Sequence, residues 1–196
     1  MIRRIPRCII LAVILLDFFA VRHPCQAQDT GKPGILVLPS FFYMPETGFG
    51  GGGLCMLTKI HHAEEDGLAL ADSLRAGGFF TQEGQAGGWT SMEAYLFESR
   101  AKFGLDAAIS LFPGRFFGLG PYAAADEAYV PFMGSVAASM GFRLSPVFYA
   151  GPRFRFAASK TLEMESSGLL AMAGITGSSG YVSEGLGFTC TIDTRD

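Results

Sequence analysis

The chain has 196 residues and a formal net charge of −3; 49% of its residues are hydrophobic and only 17% are charged. Soluble domains carry about 25% charged residues, so an ordinary water-facing surface is poorly provided for. Nothing in the charge balance points to nucleic acid, and the length is compatible with one domain.

Arg3, Arg4 and Arg7 precede an apolar run from Cys8 to Val21 that only Asp17 interrupts. That run is shorter than the roughly 20 residues a membrane-spanning helix needs. Cys25-Gln26-Ala27 then places small residues where a signal peptidase cuts, so residues 1–27 read as a cleaved secretory signal and 28–196 as the mature domain. Cys8 and Cys25 leave with the signal. Cys55 and Cys190 remain, in an oxidising compartment. They could pair only if the first and last strands meet, and two unpaired thiols embedded in strands are the expectation.

No later segment has the length of a membrane helix, so the apolar excess lies in short interrupted pieces, as in barrel strands. Ile35–Met44 is the first, with Pro45-Glu46-Thr47-Gly48 as its turn. Pro39 restricts this strand to an edge or a bulge, because proline donates no ladder hydrogen bond. Phe49–Ile60, Leu70–Thr81 and Gln85–Phe97 follow, with Thr81-Gln82-Glu83-Gly84-Gln85 as a turn.

Four later segments alternate cleanly. From Arg100 to Leu111, the residues Ala101, Phe103, Leu105, Ala107, Ile109 and Leu111 share one face. Val130–Leu144 sets Phe132, Val136, Met140 and Phe142 against Ser135, Ala137, Ser139 and Arg143. Phe148–Ala158 sets Phe154 and Phe156 against Tyr149, Gly151, Arg153 and Arg155. Leu186–Asp193 sets Leu186, Phe188, Cys190 and Ile192 against Gly187, Thr189 and Thr191. A period of two puts an apolar wall opposite a small, weakly polar one. The expectation is an all-β antiparallel array of about seven or eight strands.

A soluble barrel would need many Lys and Glu on its wet face. Here the polar faces are mostly Gly, Ala, Ser and Thr with a few Arg, which suits a lumen, so the apolar faces are expected to meet lipid. Tyr95, Phe97, Tyr129, Phe142 and Phe148 lie near strand ends, where membrane barrels keep aromatic girdles.

Charged connections are expected at His61–Gly67, Phe112–Glu127 and Lys160–Gly180. His61, His62, Glu64, Glu65 and Asp66 include metal-ligand types but lack the spacing of a preorganised site, and they read as a solvated loop. Glu163 and Glu165 have no base or nucleophile near in sequence and read the same way. The glycines from Gly48 to Gly53 are not followed by the Lys-Ser/Thr of a phosphate loop and belong to a strand. Arg143, Arg153 and Arg155 face the expected lumen, with Asp106 and Asp193 as expected internal partners. No catalytic triad can be assembled. Catalytic, cofactor-binding and metal-ligating residues are therefore expected to be none, and the chain is not expected to be an enzyme.

Several stretches occur in the order found in one family. They are Leu38-Pro39 through Pro45-Glu46-Thr47-Gly48-Phe49-Gly50, then Thr81–Gln85, and then Phe112-Pro113 with Phe116-Phe117-Gly118-Leu119-Gly120. Tyr149-Ala150-Gly151-Pro152-Arg153 comes next, and Gly185-Leu186-Gly187-Phe188 through Asp193-Thr194-Arg195-Asp196 comes last. In these the chain resembles the barrels of BamA/TamA-like bacterial surface antigens. The resemblance implies a non-catalytic transmembrane β-barrel in the cell outer membrane, related to outer-membrane protein assembly or translocation. Its partners would be outer-membrane lipid and the assembly machinery, without nucleic acid. Family barrels have about sixteen strands, within the even-numbered range of outer-membrane barrels, so this stretch corresponds to an N-terminal half. A partial barrel able to self-associate through open strand edges is the first expectation. The alternative is an independent eight-stranded barrel with a structural or small-solute role.

Overall fold

The structure, a computed structural model, describes residues 32–62, 69–120 and 125–193. The signal-like segment, the acidic cluster Glu64–Asp66 and the closing Thr194-Arg195-Asp196 lie outside the described residues.

The described chain is almost entirely strand. Its elements are β1 (Gly34–Met44), β2 (Gly48–His62), β3 (Ala69–Thr81), β4 (Ala86–Leu96), β5 (Ala101–Leu111), β6 (Gly114–Phe116), β7 (Glu127–Ser145), β8 (Phe148–Met164), α1 (Leu169–Met172) and β9 (Gly180–Ile192). They form one nine-stranded sheet in the order β1-β2-β3-β4-β5-β7-β8-β9, every pairing antiparallel, with β6 also on β7. β6 resumes the pairing of β5 beyond Phe112-Pro113, so β7 faces both in turn. The main path is thus an up-and-down meander of eight strands. The sheet is open: β1 and β9 are its two edges, and no pairing joins them among the described residues.

Local chemistry accounts for the connections. Thr47 N–H donates to the Met44 carbonyl, and Gly48 follows with φ of 70°. This is a tight turn closed by a left-handed glycine, and Pro45 presets its first φ. Between β3 and β4 the Gly84 N–H donates to Thr81 O, the Thr81 N–H donates to the Gln85 carbonyl, and the Gln85 N–H donates to Thr81 Oγ1. The β4–β5 turn contains no glycine, yet Phe97, Glu98 and Ser99 all have positive φ. Left-handed turns match the twist of a hairpin. Their strain is offset by a buried tie, the Tyr149 hydroxyl donating to the Ser99 carbonyl at 3.1 Å.

Several boundaries differ from the sequence reading. His61 and His62 belong to β2, paired with Leu70 and Ala69. β7 and β8 run longer than their clean alternation, and residues 160–164 are strand rather than loop. Here a β-bulge between Val130/Pro131 and Thr161/Glu163 interrupts the period and hides the continuation. Glu163 accordingly sits in β8, whereas Glu165 is in the connection. β9 begins at Gly180. The loop between β8 and β9 carries α1, whose first N–H groups donate to the buried Glu127 carboxylate at 2.5 Å from Leu169 and 2.9 Å from Leu170. A carboxylate is well placed at orphan helical N–H groups.

Register assigns the faces. The pairing carries Val37, Cys55, Ala76, Thr90, Ala107, Val136, Phe156 and Glu184 along one face. Leu36, Met56, Arg75, Ser91, Asp106, Ala137, Arg155 and Gly185 run along the other. The second face is concave, because Tyr95 of β4 reaches across it to Asp193 beyond β9. Packing is inverted relative to a water-soluble domain. Ile35 is 69% exposed, Phe41 76%, Phe188 71% and Leu186 89%, all on the convex face. Tyr95 at 7% and Tyr149 at 3% are among the most buried side chains, and both are on the concave face.

Candidate functional site

The candidate site is the concave trough. Aromatic rings fill one end of it. Phe42 of β1, Phe79 of β3 and the Phe112 that follows β5 stand edge to face, with centroids 6.4 Å apart in each pair. Two of the three stand over a bare neighbour. A Cβ on Gly50 would strike the Phe42 ring, and one on Gly87 would lie 2.7 Å from Phe79. Trp89 likewise overhangs Gly77, at 3.0 Å from an added Cβ. The glycines of β2 to β4 thus make room for rings on paired strands, which explains their number without any phosphate-binding role.

Charges gather towards the other end, around a cavity of about 210 Å³ lined by Ser91, Glu93, Lys102, Asp106, Ser139, Tyr149, Arg153 and Thr189 among others. Ser91 Oγ donates to Asp106 Oδ1 at 2.9 Å, and Arg153 Nη2 stands 3.9 Å from Asp106 Oδ2. Lys102 Nζ lies 3.5 Å from Glu93 and 5.5 Å above the Tyr95 ring. The Arg153–Asp106 pair is half exposed, so it orders side chains more than it stabilises the fold. Beyond it, Arg155 lines a further cavity of about 350 Å³ with Trp89, Ser135 and Ala137.

The sequence reading placed Arg143, Arg153 and Arg155 on one face, and the register puts all three on the concave side. Of the expected internal partners, Asp106 meets Arg153. Asp193 accepts the Tyr95 hydroxyl at 2.7 Å. Tyr95 is the main correction: it is no girdle residue but a buried strut, packed edge to face on Tyr149 at 6.0 Å. Parity carried the signal, since Tyr95 shares its face with Trp89, Ser91 and Glu93. Phe97 and Phe142 are exposed, as a girdle requires.

Cys55 and Cys190 are both free, and both lie on the convex face. Among the described residues no three His, Cys, Asp or Glu side chains come together in a way that could hold a metal ion. The trough's hydroxyls, carboxylates, ammonium and guanidinium groups pair with one another.

Comparison with known protein families, with curated proteins and with solved structures finds no match to this chain. Its functional reading therefore rests on its own residues and geometry.

Proposed function

We propose that this chain is a non-catalytic outer-membrane β-barrel protein of the surface-antigen type, secreted through residues 1–27. Its convex face meets lipid and its concave face meets water. The observation that carries this reading is the packing: large apolar side chains on the convex face are exposed, while charged residues such as Asp106, Arg153 and Arg155 face inward. Exposed patches beyond a few hundred Å² mark contact with a membrane or a partner.

Dimensions support it. β1 has 11 residues. At about 3.4 Å each and a tilt of about 45°, such a strand rises about 26 Å, close to the apolar band of an outer-membrane barrel. Charges on the convex face lie mainly near strand ends, as with Lys59 opposite Asp72 and Lys160 opposite Gly180. Connection lengths suggest a sidedness. Residues 97–100 and 146–147 are short turns at one end, whereas 165–179 is a long connection at the other. Outer-membrane barrels keep short turns inside and long loops outside, so the end carrying α1 is assigned to the cell exterior. Outer-membrane lipid and the barrel-assembly machinery are the proposed partners. A role in assembly or translocation rests on the family resemblance alone. Between a half barrel and an independent small barrel, the reach of Tyr95 to Asp193 favours the small barrel.

Refolding of residues 28–196 into lipid vesicles tests the reading. A membrane barrel stays with the vesicles after alkaline extraction and migrates differently on a gel before and after boiling. Protein that remains in the aqueous phase, soluble and without a mobility shift, would contradict it.

A further inference from the structure

We infer that the two open edges are each other's partner: β9 pairs with β1 of the same chain, closing the sheet as an eight-stranded barrel. Curvature is the argument. From β4 to β9 the sheet takes four steps, through β5, β7 and β8. At about 4.8 Å per step that is an arc of about 19 Å. Yet the Tyr95 hydroxyl donates to Asp193 Oδ2 at 2.7 Å. With ordinary bond lengths the two side chains and that hydrogen bond together span about 12 Å, so the two Cα atoms are no farther apart than that. An arc of about 19 Å over a chord of about 12 Å turns through about half a circle. Eight strands curving at that rate complete the circle, the number that closes around an interior filled by side chains.

Two further observations agree. Phe79 of β3 and Tyr181 of β9, five steps apart, line one cavity of about 330 Å³ nearer the opposite end. The tight curvature is therefore not confined to the end holding Asp193. Strand direction also fits. With eight strands on the main path, all neighbours antiparallel, β1 and β9 run in opposite directions and can form the same kind of ladder as every other pair. A two-copy barrel of about sixteen strands would open the trough to twice this radius and pull Tyr95 away from Asp193.

A thiol panel tests closure. Cys190 is native to the convex face of β9. In a Cys55→Ser background, cysteine is placed singly at Val37, Pro39, Phe41 and Tyr43, all on the convex face of β1. Leu38→Cys and Phe42→Cys, on the concave face, serve as controls. Paired strands put opposed side chains on one face. Closure therefore predicts an oxidative crosslink of monomer mass at one or two adjacent convex positions, at least tenfold above the concave controls. A crosslink at dimer mass would overturn the inference, because a second copy would then occupy the edge. No crosslink at any convex position would overturn it equally. The inference rests on the barrel reading but is read out separately. Vesicle partition is measured on the same samples, so a monomeric crosslink without partition sinks the membrane reading and leaves closure standing.

Discussion

Single residues set how closely the strands approach. An added Cβ on Gly52 would overlap the Gly78 carbonyl oxygen, and one on Gly151 would overlap the Met140 carbonyl oxygen. Both obstacles are backbone, which cannot swing aside as the Phe42 ring can. Overpacking of this kind costs about 1–3 kcal/mol. Gly52→Ala and Gly151→Ala should each lower unfolding stability by that amount, read from urea titration in lipid. Gly185→Ala meets nothing within 4 Å and should change stability by less than about 0.5 kcal/mol. The tyrosine pair lies on the same scale. Tyr149 ties the strained β4–β5 turn through Ser99, and Tyr95 ties the first half of the meander to the end of β9. Neither tie can be read along the chain. The Tyr95 and Asp193 partners are 98 residues apart, and only the folded curvature brings them together. The inward face of Asp193 was legible from parity, whereas Tyr95 was read as a girdle residue.

At the scale of elements, clean alternation located four of the long strands, and length, spacing and turn residues pointed to the other four. Alternation failed where the period itself breaks. The bulge in β8 shifts the register by one residue, and the Phe112-Pro113 interruption detaches the short β6 from β5. The β1 edge was legible from Pro39, which the structure indeed places in an edge strand. The two walls should respond oppositely to charge. Phe154 is on the convex face, midway along β8. Phe154→Lys should destabilise the lipid-inserted protein by about 2–4 kcal/mol, the cost of a lysine near the bilayer midplane. Ser135→Glu lines a concave cavity beside Arg153 and Arg155 and should shift stability by no more than about 0.5 kcal/mol. Unfolding in vesicles of matched thickness checks both. Equal effects at the two positions would mean that both walls meet the same medium. Glu184 is the one convex charge of β9 away from its ends.

Across the described residues the sheet is curved, apolar on its exposed convex face, and on its concave face aromatic at one end and charged at the other. Composition already pointed there, because a chain so poor in charge cannot wet a convex surface. Strand number alone admits both a half barrel and a small complete one. The inferred closure rests instead on curvature, which shows only in side chains that meet across the trough. The central claim is that the convex wall faces lipid. Its most direct test is a spin-label scan of β7 from Met133 to Gly141 in vesicles, one labelled cysteine at a time in a background without Cys55 and Cys190. Accessibility to oxygen and to a water-soluble nickel chelate is measured at each position. A two-residue alternation is expected, with Gly134, Val136, Ala138 and Met140 open to oxygen and Ser135, Ala137 and Ser139 favouring the chelate. The reverse phase, or chelate access at every position, would contradict it.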